Sequence, residues 1–168
     1  MKNAIRNAVV LTLNLPIIAL IHAQSAFRGK KTAIRAAGPI LTAAAKRALR
    51  YWVPAIAHPS EFGEFKTRMK SNFRLWSVLY DIEIAEDTPD TFKINVMNCP
   101  FCAVFAFVGL KDLNRYFCKA DWEIAEDNKG KWIFERKCTI ESGDGVCDHT
   151  YKRIPPGGYA VAGRQGVQ

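Results

Sequence analysis

A chain of 168 residues, 49% apolar and 24% charged, has the balance of a folded domain, which excludes disorder of the whole chain. Its formal charge of +8 is unevenly placed: residues 1–60 hold nine Lys or Arg and no Asp or Glu, while residues 61–168 hold fifteen basic and sixteen acidic residues. A cation excess confined to one third, without interleaved aromatics, argues against nucleic acid as a partner and for a targeting segment, a membrane-surface helix or a helix facing an acidic partner.

Residues 1–26 have the outline of an export signal: Lys2 and Arg6, an apolar run from Ala8 to Ile21, then small residues near Ala23 and Ser25. Against export, Asn14 and Pro16 interrupt the run, and Ile21-His22-Ala23 is a poor cleavage site. The alternative is a pair of helices. Ile5, Val9, Leu13, Ile17 and Leu20 recur at helical spacing, with Pro16 as a kink or boundary. A second helix is expected from Gly38-Pro39 to about Trp52, basic in its C-terminal half through Lys46, Arg47 and Arg50. A membrane surface therefore stays open as a partner of this third.

Ser60 is the expected N-cap of a helix running to about Leu79, with Phe62, Phe65, Met69, Phe73, Trp76 and Leu79 as its buried stripe. Alternation at Tyr80, Ile82 and Ile84, a turn at Asp87-Thr88-Pro89-Asp90, and alternation at Phe92, Ile94 and Val96 predict a hairpin. Pro100 then starts a short helix, capped by Asn98 or Cys99. The spacing Cys99-x-x-Cys102 is that of a redox pair, but hairpin-then-helix is not the βαβ setting such pairs use, and no second pair completes a zinc site.

Gly109 ends that helix, and Lys111 to Phe117 makes another that finishes in Cys118-Lys119-Ala120-Asp121. Cys118 and Asp121, three apart, can face the same side, which suits a thiol beside a carboxylate; a buried Cys followed by a solvated Asp is the plainer reading. A strand is expected to begin at Trp122-Glu123-Ile124, and Trp132 to Ile140 reads as the clearest strand of the chain. After Ser142-Gly143-Asp144-Gly145 the chain returns as a strand over Val146 to Arg153. There Cys147, His149 and Tyr151 share one face and Asp148 and Thr150 the other. Five cysteines cannot all pair internally, so mainly reduced thiols and a cytoplasmic, possibly membrane-associated, setting are expected, with export through the N-terminal run as the alternative.

The architecture that follows is α+β: N-terminal helices packed on an antiparallel sheet built from β-hairpins, with short helices between hairpins. Its divisions are a basic helical segment over 1–60, a cysteine- and aspartate-bearing domain over 61–153, and a loose tail over 154–168.

The order Cys99, Gly109-Leu110, Cys118-x-x-Asp121, Phe134-Glu135-Arg136, Thr139-Ile140, Gly143 and Cys147-Asp148 resembles the L-2-amino-thiazoline-4-carboxylic acid hydrolase-like family over roughly Glu61 to Arg153. Departures are Cys138 before Thr139, His149 after the Cys-Asp pair, and the basic N-terminal third. The resemblance implies hydrolytic opening of a cyclic amidine on a small-molecule substrate. It casts Cys118, Asp121, Cys147 and Asp148 as catalytic, and Arg136, His149 and Cys99 as substrate-binding, with no cofactor. The competing expectation is a non-enzymatic module binding a small ligand or zinc through Cys118, Cys147 and His149.

Overall fold

The computed structural model describes residues 1–155, so most of the expected tail over 154–168 lies outside the described residues. Five α-helices and four strands follow one another: α1 (Lys2–Arg28), α2 (Lys30–Leu49), α3 (Phe62–Trp76), β1 (Ile82–Asp87), β2 (Thr91–Val96), α4 (Pro100–Phe107), α5 (Asn114–Asp127), β3 (Trp132–Glu135) and β4 (Cys147–Arg153). The strands form one antiparallel sheet in the order β1-β2-β4-β3. The expected α+β class is what the chain adopts.

Prolines do not divide the N-terminal helices as expected. α1 runs through Pro16 and α2 through Pro39. Each proline removes one helical hydrogen bond, to the carbonyl four residues earlier. Those carbonyls belong to Thr12 and Arg35, both exposed residues, where the loss costs little because solvent is within reach. The real boundary is Gly29, whose φ of 78° and ψ of 146° suit a residue without a Cβ. Gly38 also lies inside α2, and the Tyr116 ring of α5 occupies the space its Cβ would fill. Thr42 Oγ1 donates to the Tyr116 carbonyl at 2.8 Å, so α2 and α5 meet closely.

The first sixty residues are part of the packed body. Val10, Ile18 and Ile21 of α1 share a core with Ile34 and Leu41 of α2, Phe105 of α4, and Leu110 and Leu113. Arg6 is 3% exposed. Its guanidinium donates to the carbonyls of Ser77, Val78 and Tyr80, which follow α3, and to Asp81 at 2.7 Å. It thereby satisfies carbonyls of the irregular segment between α3 and β1, which has no ladder to supply donors. The expected division near Ser60 falls at a 3-10 turn, Pro59–Glu61, where the His58 ring rather than Ser60 accepts the capping amide.

A second core joins Phe62, Phe65 and Met69 of α3 to Phe92 and Ile94 of β2, Trp132 of β3 and Tyr151 of β4. These residues occupy one face of the sheet because side chains alternate along each strand.

Two expectations for the C-terminal half are corrected. The strand expected at Trp122-Glu123-Ile124 is helix: α5 continues to Asp127, burying Ala120 and Ile124 four apart. Three residues cannot separate a period of 2 from one of 3.6, and packing against α2 decides. The strand expected from Trp132 to Ile140 stops at Glu135. Beyond it, the amides of Lys137 and Cys138 donate to the Asp148 carboxylate at 2.8 and 2.6 Å, and so are withdrawn from the ladder.

Candidate active site

Between the helices and the inner face of the sheet lies a cavity of about 210 Å³. Its wall has two characters. From α2, α3 and the turn after α2 come Ala48, Leu49, Trp52, Met69, Phe73 and Trp76, almost all carbon. From α4, α5, the loop after β3 and β4 come Cys99, Cys118, Asp121, Arg136, Cys147 and His149, with the phenols of Tyr80 and Tyr151 beside them.

Each polar side chain has a local reason to be there. Cys99 is the N-cap of α4, with Pro100 at the first helical position, and its sulfur accepts the Cys102 amide at 3.4 Å. A helix start concentrates free amides and the positive end of the dipole, an environment that favours thiolate. The Cys102 thiol hydrogen-bonds to Cys99 and, with the amides of Cys102 and Phe101, holds the Cys99 thiol below its ordinary value against burial. Cys102 itself is pushed up by its hydrogen bonds to Cys118 and Cys99 and by burial. Three thiols thus lie in a chain, Cys99 to Cys102 to Cys118, in which Cys99 is lowered and Cys102 raised.

Cys118 and Asp121 project from one side of α5 because three residues are close to one helical turn. Asp121 accepts from Arg136 at 2.6 Å, and the other guanidinium arm donates to the Cys118 carbonyl at 3.2 Å. Both partners are mostly buried, at 15% and 6% side-chain exposure, and Arg136 lies over the Trp122 ring at 5.6 Å. The charge on Asp121 acts on Tyr80, Cys99, His149 and Tyr151, which line the same cavity.

On β4, Cys147, His149 and Tyr151 alternate onto the cavity face. Burial pushes the Cys147 thiol up to about 12, outweighing the amide hydrogen bond it accepts from Ile140 at 3.2 Å. Burial lowers His149, leaving a neutral imidazole. Among the described residues its ring has no hydrogen-bond partner, and the surface it leaves open is cavity wall. It packs edge-on to Phe134 at 5.6 Å.

Six of the seven side chains expected from the sequence, Cys99, Cys118, Asp121, Arg136, Cys147 and His149, therefore line one cavity. Asp148 is not among them. It lies on the other side of β4, where its carboxylate holds the Lys137 and Cys138 amides and faces Lys93 at 3.7 Å. Burial raises it, but those amides and Lys93 prevail and its pKa is lowered. Among the described residues no three His, Cys, Asp or Glu side chains are grouped to hold a metal ion, so Cys118, Cys147 and His149 share a wall without forming a ligand set. Tyr80 and Trp76 were not legible as site residues. Both precede or end elements whose patterns signal only core packing.

The model of the L-2-amino-thiazoline-4-carboxylic acid hydrolase family matches residues 9–151, most of the chain and every residue that lines this cavity. The chain belongs to that family. None of the curated proteins compared matches it. As a member of the L-2-amino-thiazoline-4-carboxylic acid hydrolase family it is a hydrolase by family, acting on a small molecule.

Proposed function

We propose that this protein hydrolyses a ring carbon–nitrogen bond of a cyclic amidine, with Cys99 as nucleophile and His149 as proton carrier. The observation that carries the reading is the convergence of a helix-capping thiol, a neutral imidazole and a buried carboxylate–guanidinium pair on one cavity. The Cys99 thiolate adds to the amidine carbon, and the bond from that carbon to the ring nitrogen breaks as the nitrogen takes a proton. Water then adds to the same carbon, His149 accepts its proton, and the bond to Cys99 breaks. Net, the oxygen of one water ends on the amidine carbon and its two protons on the released nitrogen. Cys118, adjoining through Cys102, and Cys147, kept neutral, are the thiols that flank this centre.

The wall also supports a substrate class. Arg136 is the one Lys or Arg among the described residues that line the cavity, and Asp121 already compensates its charge. A substrate carboxylate would therefore meet a neutral pair, whereas the Trp52, Trp76, Met69 and Phe73 side favours apolar surface. The reading is a neutral amidine or thiazoline head carrying a flat apolar body, with 2-amino-thiazoline-4-carboxylate as a poorer fit. Ring opening followed by mass spectrometry on that acid and on 4-aryl and 4-alkyl thiazolines tests both parts. Faster turnover of the apolar set supports the class. Turnover of the free acid alone would overturn the class but keep the chemistry, and turnover of all of them undiminished by Cys99→Ser would overturn the nucleophile.

A further inference from the structure

α1 is apolar on both sides. Its inner side supplies Arg6, Val10, Ile18 and Ile21 to the packed body. Its outer side carries Ile5, Val9, Leu13, Leu20 and Phe27, with Leu13 at 73% and Phe27 at 89% exposure. Spaced at helical intervals, these five lie along one stripe about 33 Å long, at 1.5 Å per residue. Thr12 and Gln24 are by helical rotation the uncharged polar residues nearest it, and no charge falls on it between Ile5 and Phe27. Such a continuous apolar surface marks an interaction site.

The charges around it select the occupant. Of the nine cations in residues 1–60, Lys2, Arg6, Lys46 and Arg50 are paired with Asp81, Glu123 or Asp127. Arg28, Lys30, Lys31, Arg35 and Arg47 have no acidic partner among the described residues, and all five are exposed. Four of them surround the Gly29 turn, next to Phe27. A second copy docked symmetrically would lay this acid-free surface on itself, apolar on apolar but cation near cation. An anionic lipid surface supplies both the acyl chains for the stripe and the charge for the turn. α1 is also long and apolar enough to cross a membrane. Its inner side is already occupied by the protein, and Arg6 is buried in contacts with Ser77, Val78 and Tyr80. That fixes it to the body rather than in the bilayer.

We propose that the outer face of α1 and the basic turn at Gly29 form a docking surface for anionic membranes, with α1 lying in the interface plane. The test uses the full chain with vesicles of phosphatidylcholine alone or mixed with phosphatidylglycerol, by flotation across a salt series. The expected result is roughly tenfold stronger binding to the anionic vesicles, lost towards about 1 M salt, where screening acts within about 3 Å. Reversing the turn by Lys30→Glu with Lys31→Glu weakens binding roughly tenfold or more. Leu13→Glu with Leu20→Glu abolishes it, because each places a charge against the acyl region. Equal binding to both lipids, binding to neither, or binding that resists both high salt and alkaline extraction would overturn the proposal. So would a concentration-dependent dimer that Leu13→Glu with Leu20→Glu dissociates, since a second copy would then cover the stripe. The wild-type salt and lipid dependence decides even if a variant fails to fold.

Discussion

The two faces of β4 divide cavity wall from scaffolding within seven residues. Facing the helices, Cys147, His149 and Tyr151 enclose the cavity with Cys99, Asp121 and Arg136. Facing away, Asp148 holds the amides that end β3, and Lys152 pairs with Glu135 at 2.7 Å. Two adjacent residues with the same apparent promise, Cys147 and Asp148, therefore do different things. The lesson is that a Cys-Asp pair on a strand cannot act on one substrate from both members, because neighbouring side chains point to opposite faces.

The largest test of this division is Cys99→Ser. Turnover is expected to fall on the order of 10⁴-fold, with the urea midpoint nearly unchanged, because a serine hydroxyl stays protonated where the thiol ionises. Asp148→Asn should do the reverse: kcat/KM per folded molecule stays within a few-fold. A large loss there would place Asp148 in the chemistry and erase the distinction between the faces.

Next in size is Arg136→Ala, which leaves the Asp121 carboxylate buried without its partner. A loss of about 3–5 kcal/mol in denaturant unfolding is expected. Asp121→Asn with Arg136→Met should recover a good part of it, which a purely catalytic role for Arg136 would not produce. Asp148→Asn weakens two charge-assisted hydrogen bonds and should cost about 1–3 kcal/mol. Its amide exchange signature is the readout: protection at Lys137 and Cys138 falls while that of β2 is kept.

The smallest effect is in the pH profile. His149 is lowered in the fold by burial, so below about 6.5 the unfolded chain binds its proton more readily. Stability from this group is full above about pH 6.5 and declines as pH falls towards the lowered folded value. His149→Gln should flatten that slope and cut turnover about 10²-fold or more. On the activity side, Cys99 is lowered too, so turnover should persist below the range where an ordinary thiol, near 8.5, is ionised. An acid limb centred at about 8.5 would show that the lowered Cys99 thiol is not the nucleophile.

Much of this was readable from the residues. The hairpin of β1 and β2 announced itself by alternation on either side of Asp87-Thr88-Pro89-Asp90, and Pro100 after Cys99 marked the start of α4. Cys118 and Asp121 were legible as neighbours because three residues share a side only in a helix. Less was legible where the period was ambiguous. Trp122-Glu123-Ile124 alternates like a strand and became helix, and the alternation from Trp132 to Ile140 outlasted the ladder that β3 forms.

By itself, then, the sequence determined the hairpin of β1 and β2 and the start of α4, which side of β4 bears Cys147 and His149, and that the first sixty residues carry cations without acids. Those follow from backbone geometry and composition, which need no partner. Only the tertiary structure decided that Pro16 and Pro39 leave their helices whole, that Arg6 caps the carbonyls after α3, and that Asp148 ends a strand. It also decided that Cys99 rather than Cys147 carries the lowered thiol. Each of these depends on which groups meet across the fold, and a carbonyl's exposure or a thiol's neighbours exist only once distant segments have packed.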